Sequence, residues 1–203
     1  MNIFYLSNDY EYAAKSMTVR HQIKMPLESI QMLCTAHRVL DGTPAELVKN
    51  GRRKLEFIHP EYNDELYLTA HINHPSSVWV RESVDHYMWL YNHAMALGAE
   101  YTRQYGRVHA SIEKLGEILK NPPKNIPNAG FTPPPCAMPD QYKTGDAIES
   151  YHNYYRAEKL KTDDDKKRYN KFYSHIWFLW YNKVKWWRAL LYITDSNISS
   201  QSQ

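Results

Sequence analysis

Glycine is scarce, seven in 203 residues, and none falls in a GxGxxG or GxxxxGK[ST] pattern. A Rossmann fingerprint and a P-loop are therefore excluded, because both need glycine where the backbone approaches phosphate. Cysteine is scarcer still, Cys34 and Cys136 alone, so no disulfide framework is expected and the cytoplasm is the expected compartment. No apolar run approaches the ~20 residues of a membrane-spanning helix, and Met1 to Tyr12 has neither the basic start nor the apolar core of a secretion signal. HExxH, GxSxG and CxxC are absent. Two cysteines and scattered histidines form no closed tetrahedral set, so neither a metal nor another cofactor is expected. The formal net charge is only +3, which permits contact with nucleic acid without demanding it.

Aromatic residues are plentiful, with 17 Tyr, 6 Trp and ten His alongside them. With 43% hydrophobic and 23% charged residues the chain is globular, and its length suits one domain. Asp9 reads as an N-cap, and Pro26 predicts a break near Ile23 before a second helix that runs to Leu40 and stops at Asp41-Gly42. Lys54–Ile58 and Leu66–Thr69 predict a small hairpin around residues 60–64. Asn73-His74-Pro75-Ser76 opens one long helix to Tyr105, terminated by Gly106, and Val108, Ile112, Leu115 and Leu119 mark another. Most of the eleven prolines crowd into 121–145, which predicts an extended connector wrapping the domain. Asp146 caps a further helix, Asp163 to Arg168 reads as a solvated junction, and an aromatic helix follows from Lys167 to Tyr192. The expected fold is mainly α: a single-domain, helical bundle-like fold with a long Pro-rich connector and room for one small β-hairpin. Residues 1–162 form the core with its cleft, 163–195 the aromatic C-terminal helix packed on the core or on a partner, and 196–203 a disordered tail.

His21, Lys24, Glu28, Gln31, Thr35 and Arg38 are spaced 3, 4, 3, 4 and 3 apart, one stripe of a helix. The stripe reads either as a solvated face or as a site, because imidazole, ammonium, carboxylate and guanidinium together can bind an anion and move a proton. In the second reading His21 and Glu28 do acid–base work, while Lys24 and Arg38 hold phosphate. Trp79, Glu82, His86 and Trp89 follow approximate helical spacing further on. They are core residues, or a pocket in which a tryptophan stacks on a base with Gln31, Glu82 and His86 nearby. Arg103 and Arg107, beside Gly106, suit an anion site or plain compensation of a helix dipole. In the C-terminal third, Tyr151, Tyr154, Tyr155, Arg156 and Lys159 precede Trp177, Trp180, Lys183, Lys185, Trp186, Trp187 and Arg188. That mixture suits stacking on nucleic acid, or burial in a core or homodimer seam.

His21-Gln22-Ile23-Lys24-Met25, Glu28, Gln31, Thr35-Ala36-His37-Arg38, Asn73-His74-Pro75, Trp89-Leu90-Tyr91 and Phe131-Thr132-Pro133-Pro134-Pro135 resemble an uncharacterised tailed-phage protein family. More remotely, the layout is similar to the pyrimidine-dimer DNA glycosylase/lyase family of phage. That resemblance implies an N-terminal amine that attacks the sugar, assisted by a carboxylate on the first long helix. Asn2 is large, so Met1 is expected to be retained. The expected function is a phage DNA-acting enzyme, of glycosylase or base-modifying type, holding a base in a cleft in the host cytoplasm. The alternative is a non-catalytic phage protein that sequesters a nucleotide or nucleotide signal. Nucleic acid or nucleotide, and a second copy through the aromatic helix, are the expected partners.

Overall fold

Asp9 accepts a hydrogen bond from the Tyr12 main-chain N–H and starts helix α1 (Tyr10–Ser16), where the sequence places the cap. A computed structural model describes residues 1–49 and 51–171. The expectations for Trp177 to Arg188, for the homodimer seam and for the tail lie outside those residues.

Thr18 caps helix α2 (Val19–Asp41), which runs unbroken through Pro26. The predicted break near Ile23 does not occur. An internal proline costs a helix about 3 kcal/mol, and burial outweighs it here: Met25, Pro26, Ile30, Met32, Leu33 and Cys34 are all buried, with α2 packed against helix α4 (Val84–Tyr105). The hairpin also differs from expectation. It pairs β1 (Thr43–Lys49) with β2 (Arg52–Ile58) antiparallel, Lys49 opposite Arg52, around Asn50-Gly51. Gly51 has φ +72°, the left-handed backbone that tight hairpin turns require. Leu66–Thr69 is not a strand.

The long helix expected from Pro75 to Tyr105 is two. Helix α3 (Pro75–Glu82) ends at Ser83, whose backbone is extended and whose hydroxyl accepts from Asp85 N–H to cap α4. Gly106, at φ +69°, closes α4 as predicted. Helices α5 (Ala110–Leu115) and α6 (Ala147–Glu158, capped by Asp146) follow, and 163–171 are helical. The fold is mainly α with one small hairpin among the described residues.

Ile3 to Leu6 thread the core and are almost wholly buried, with a kink at Phe4, whose φ is +53° and whose carbonyl accepts from Leu6 N–H at 2.8 Å. Phe4 stacks on His21 at 4.5 Å between ring centroids, and Tyr5 meets Trp89 edge-on at 5.0 Å. The Pro-rich segment straps this core from outside. Its Pro127 carbonyl accepts from Val84 N–H at 2.8 Å, and its Ala137 carbonyl accepts from Asn2 Nδ2 at 2.9 Å. Its start is pinned by Asp41, which accepts from the Lys124 and Asn125 N–H groups at 2.7 and 3.0 Å.

Candidate functional site

Lys24 and Glu28 lie four residues apart on α2, and Lys24 Nζ reaches Glu28 Oε1 at 2.8 Å. The other carboxylate oxygen faces the start of the chain. Glu28 Oε2 accepts from Asn2 N–H at 3.3 Å and lies 3.9 Å from the Met1 α-amine. Two amines therefore converge on one carboxylate. The first residues are clamped in place: Asn2 Oδ1 accepts from Ile3 N–H at 2.8 Å, and the Tyr151 hydroxyl reaches Asn2 Oδ1 and the Pro135 carbonyl at 3.0 and 2.8 Å. The Met1 side chain is only 3% exposed, yet the residue as a whole is half-buried. What faces solvent is its main chain.

His74 stands close to this amine. Its Nδ1 accepts from Ser76 N–H at 3.2 Å, capping α3. Burial first, then the positive Met1 amine and His71, hold its pKa below the ordinary value against the pull of Glu28, so it is a neutral imidazole with its proton on Nε2. With Lys54, Leu55, Thr69, His71 and Asn73 it lines an open cavity of about 600 Å³. His71 has φ +49°, strained for a residue with a β-carbon, and such strain gathers at functional sites. One wall is set by Glu56, wholly buried at the side chain, which accepts from Thr69 N–H at 3.0 Å and Thr69 Oγ1 at 2.9 Å. Burial alone raises a carboxyl pKa; hydrogen bonds from Thr69 and Phe57 outweigh it here and keep Glu56 below its usual range. Thr35 ties the same loop to α2, accepting from Ala70 N–H at 3.1 Å.

The structure brings Lys24 and Glu28 together and leaves Gln31 half-buried one turn further along α2. His21 belongs to the same stripe but lines a separate hollow of about 240 Å³ with Arg20, Lys159 and Lys161 and the carboxylates of Glu158 and Asp165. There its Nδ1 lies 2.8 Å from the Tyr155 hydroxyl, and burial, Lys159 and Lys24 push its pKa down to about 4. Arg38 does not join them. It is 1% exposed, and its guanidinium donates to the carbonyls of Tyr67, Phe57, Asn63 and Leu66 and to Asn63 Oδ1. Those bonds use all five of its donors, leaving none for a phosphate.

Trp79 and Trp89 are buried, donating to the Thr132 and Asn8 carbonyls at 2.9 and 2.8 Å and stacking on His86 and His93. Their rings are core contacts. His86 donates from Nδ1 to the Trp79 carbonyl and accepts at Nε2 from Thr132 N–H, while Glu82 is exposed on the other side of the Ser83 break. Arg103 pairs with Glu100 at 2.8 Å, and exposed Arg107 follows the Gly106 cap. The sequence reading missed the Met1 amine as a neighbour of Glu28 and His71 and His74 as cavity residues. His74 was legible as part of the helix cap at Asn73-His74-Pro75-Ser76, and His71, three residues before it, was the signal left unread.

Among the described residues, His37, Asp41 and His59 have ligand-type atoms within 4.8 Å of one another. Proton placement works against a metal there. Tyr87 donates to the Leu119 carbonyl, so His37 Nε2–H donates to Tyr87 and His37 Nδ1 keeps a lone pair. His59 Nδ1 accepts from the N–H groups of Glu61 and Tyr62 at 3.2 and 3.0 Å, which puts the His59 proton on Nε2. Only His37 and Asp41 then offer free lone pairs, fewer than a closed zinc site needs.

Fold and site together define a mainly helical protein with an amine–carboxylate pair whose charges act on His74, a residue of an open, histidine-lined cavity. No protein-family model, curated protein or solved structure matches the chain. Among the described residues no helix is long and apolar enough to cross a membrane.

Proposed function

We propose that this chain is a phage DNA-acting enzyme of glycosylase/lyase type that attacks a deoxyribose with the Met1 α-amine. The observation that carries the reading is that amine, 3.9 Å from Glu28 Oε2, with neutral His74 close by at the cavity wall. Glu28 takes a proton from the ammonium, and the free amine attacks C1′ of the sugar. The bond from C1′ to the base breaks, and the base leaves with the electron pair and takes the proton that Glu28 holds. The C1′–O4′ bond then opens as the amine's second proton passes to O4′, leaving the sugar as a Schiff base on the amine and Glu28 ionised. Glu28 can then remove a C2′ proton so that the 3′-phosphate is expelled. The resemblance to phage glycosylase/lyases implies the same pairing of groups, and α2 is the first long helix of this fold.

The test is a duplex carrying an aldehydic abasic site, mixed with the protein and borohydride. A covalent protein–DNA adduct is expected. Acetylating the α-amine should abolish it, Lys24→Ala should keep it, and Glu28→Gln should slow strand cleavage by about 10²-fold or more. No adduct with the unmodified protein rejects the reading. The hollow lined by Arg20, His21, Lys159 and Lys161, together with Glu158 and Asp165, is the place for the second reading, a protein that only sequesters a nucleotide. Tight nucleotide binding without any turnover would favour it.

A further inference from the structure

We infer that the β1–β2 ribbon is a docking arm for duplex DNA, seated in the major groove next to the histidine-lined cavity; this rests on the DNA-acting reading above. The ribbon is a two-stranded sheet with no third strand on either edge among the described residues, and α2 is its main helical neighbour. Its surface is not that of a strand pair serving its own core. Val48 is 69% exposed and Leu55 56%, more than any other large hydrophobic among the described residues. The register sets Val48 opposite Arg53 and Glu46 opposite Leu55, so all four share one face, because alternate residues point the same way.

Charge selects the occupant. In sequence Lys49, Arg52 and Arg53 flank the turn and residues 47–55 contain no acid, while Lys54 is held by Glu56 at 3.4 Å and by the Thr69 carbonyl. Arg53, with its side chain 77% exposed, has among the described residues an ion-pair contact with exposed Glu46 at 3.7 Å, a pair worth little. Size agrees. Seven residues per strand span about 23 Å, and a two-stranded ribbon fits the roughly 12 Å wide major groove. Cations answer the phosphates, and exposed Val48 and Leu55 can meet thymine methyls.

Position links the arm to the chemistry. Lys54 and Leu55 of β2 are also cavity-lining residues. Lys54 Nζ donates to the Thr69 carbonyl at 2.6 Å, and Glu56 grips Thr69 from the same strand. A duplex held on the ribbon therefore lies against the cavity mouth, and an extruded nucleotide has a short path inward.

The experiment measures affinity for an undamaged 20-base-pair duplex by fluorescence anisotropy across a salt series, for the intact chain and for Lys49→Ala/Arg53→Ala. Unchanged thermal melting confirms that the variant folds. In parallel, borohydride trapping is measured on a single-stranded abasic trinucleotide too short to reach the ribbon. The variant should lose about tenfold or more in duplex affinity, and its slope of log affinity against log salt should shrink by about two. Trinucleotide trapping should be unchanged. Unchanged duplex affinity in the variant overturns the inference even if trapping succeeds, and so does failure of the intact chain to bind duplex. Self-association of the intact chain that the variant abolishes, without duplex binding, overturns it in favour of a second copy. Duplex affinity that falls as expected, with no trapping by any form, upholds the docking arm and rejects the glycosylase/lyase reading.

Discussion

Every N–H donor of Arg38 meets an oxygen of the segment between Phe57 and Tyr67. The guanidinium is the structural centre of a loop whose carbonyls have no helix or sheet to bond. Removing it strands several buried acceptors at once, each costing about 1–3 kcal/mol. Arg38→Ala should therefore destabilise the fold by about 3–5 kcal/mol in urea titration, while the fraction that remains folded binds DNA as before. Normal stability with lost affinity would restore Arg38 to the binding site. Buried imidazoles give a second expectation. Burial is the first cause holding His21, His37, His93 and His152 down at about 4, from 6.5. The unfolded chain binds these protons first, so stability is complete above pH 6.5 and falls as pH drops from there towards 4. The urea midpoint should be clearly lower at pH 5 than at pH 7.5; a flat profile would mean that these histidines are charged in the folded state.

At the scale of elements, the caps were legible and the interruptions were not. Asp9, Asp146 and Gly106 act where their chemistry says they should. Pro26 fails to break α2 because tertiary burial overrides a local cost, and no local pattern reports that burial. Ser83 ends α3 because it finds two amides to bind, Asp85 N–H and Ala129 N–H, both at 3.3 Å, and the second is 46 residues away. Ser83→Ala should cost about 1 kcal/mol and loosen the Pro-rich strap as well, seen as faster hydrogen exchange at Ala129. Unchanged exchange there would mean the strap holds without Ser83. The hairpin was misplaced by trusting weak alternation over Asn50-Gly51, the stronger turn signal.

Across the whole molecule, the half of the site carried by α2 could be read in advance, since a spacing of four residues places Lys24 and Glu28 together. The other half could not. The Met1 amine reaches Glu28 because residues 3–6 are threaded through the core and Asn2 is fastened to Ala137, a contact across 135 positions. Tryptophans that suggested base stacking are consumed by that same core. What the fold accomplishes is to hold the α-amine against a carboxylate, both close enough to act electrostatically on His74 of the open cavity. Site mapping tests this most directly: the borohydride-reduced adduct with abasic DNA is digested and its attachment point found by mass spectrometry. Attachment at the Met1 α-amine is the predicted result; attachment at Lys24, or at any other lysine, would contradict it.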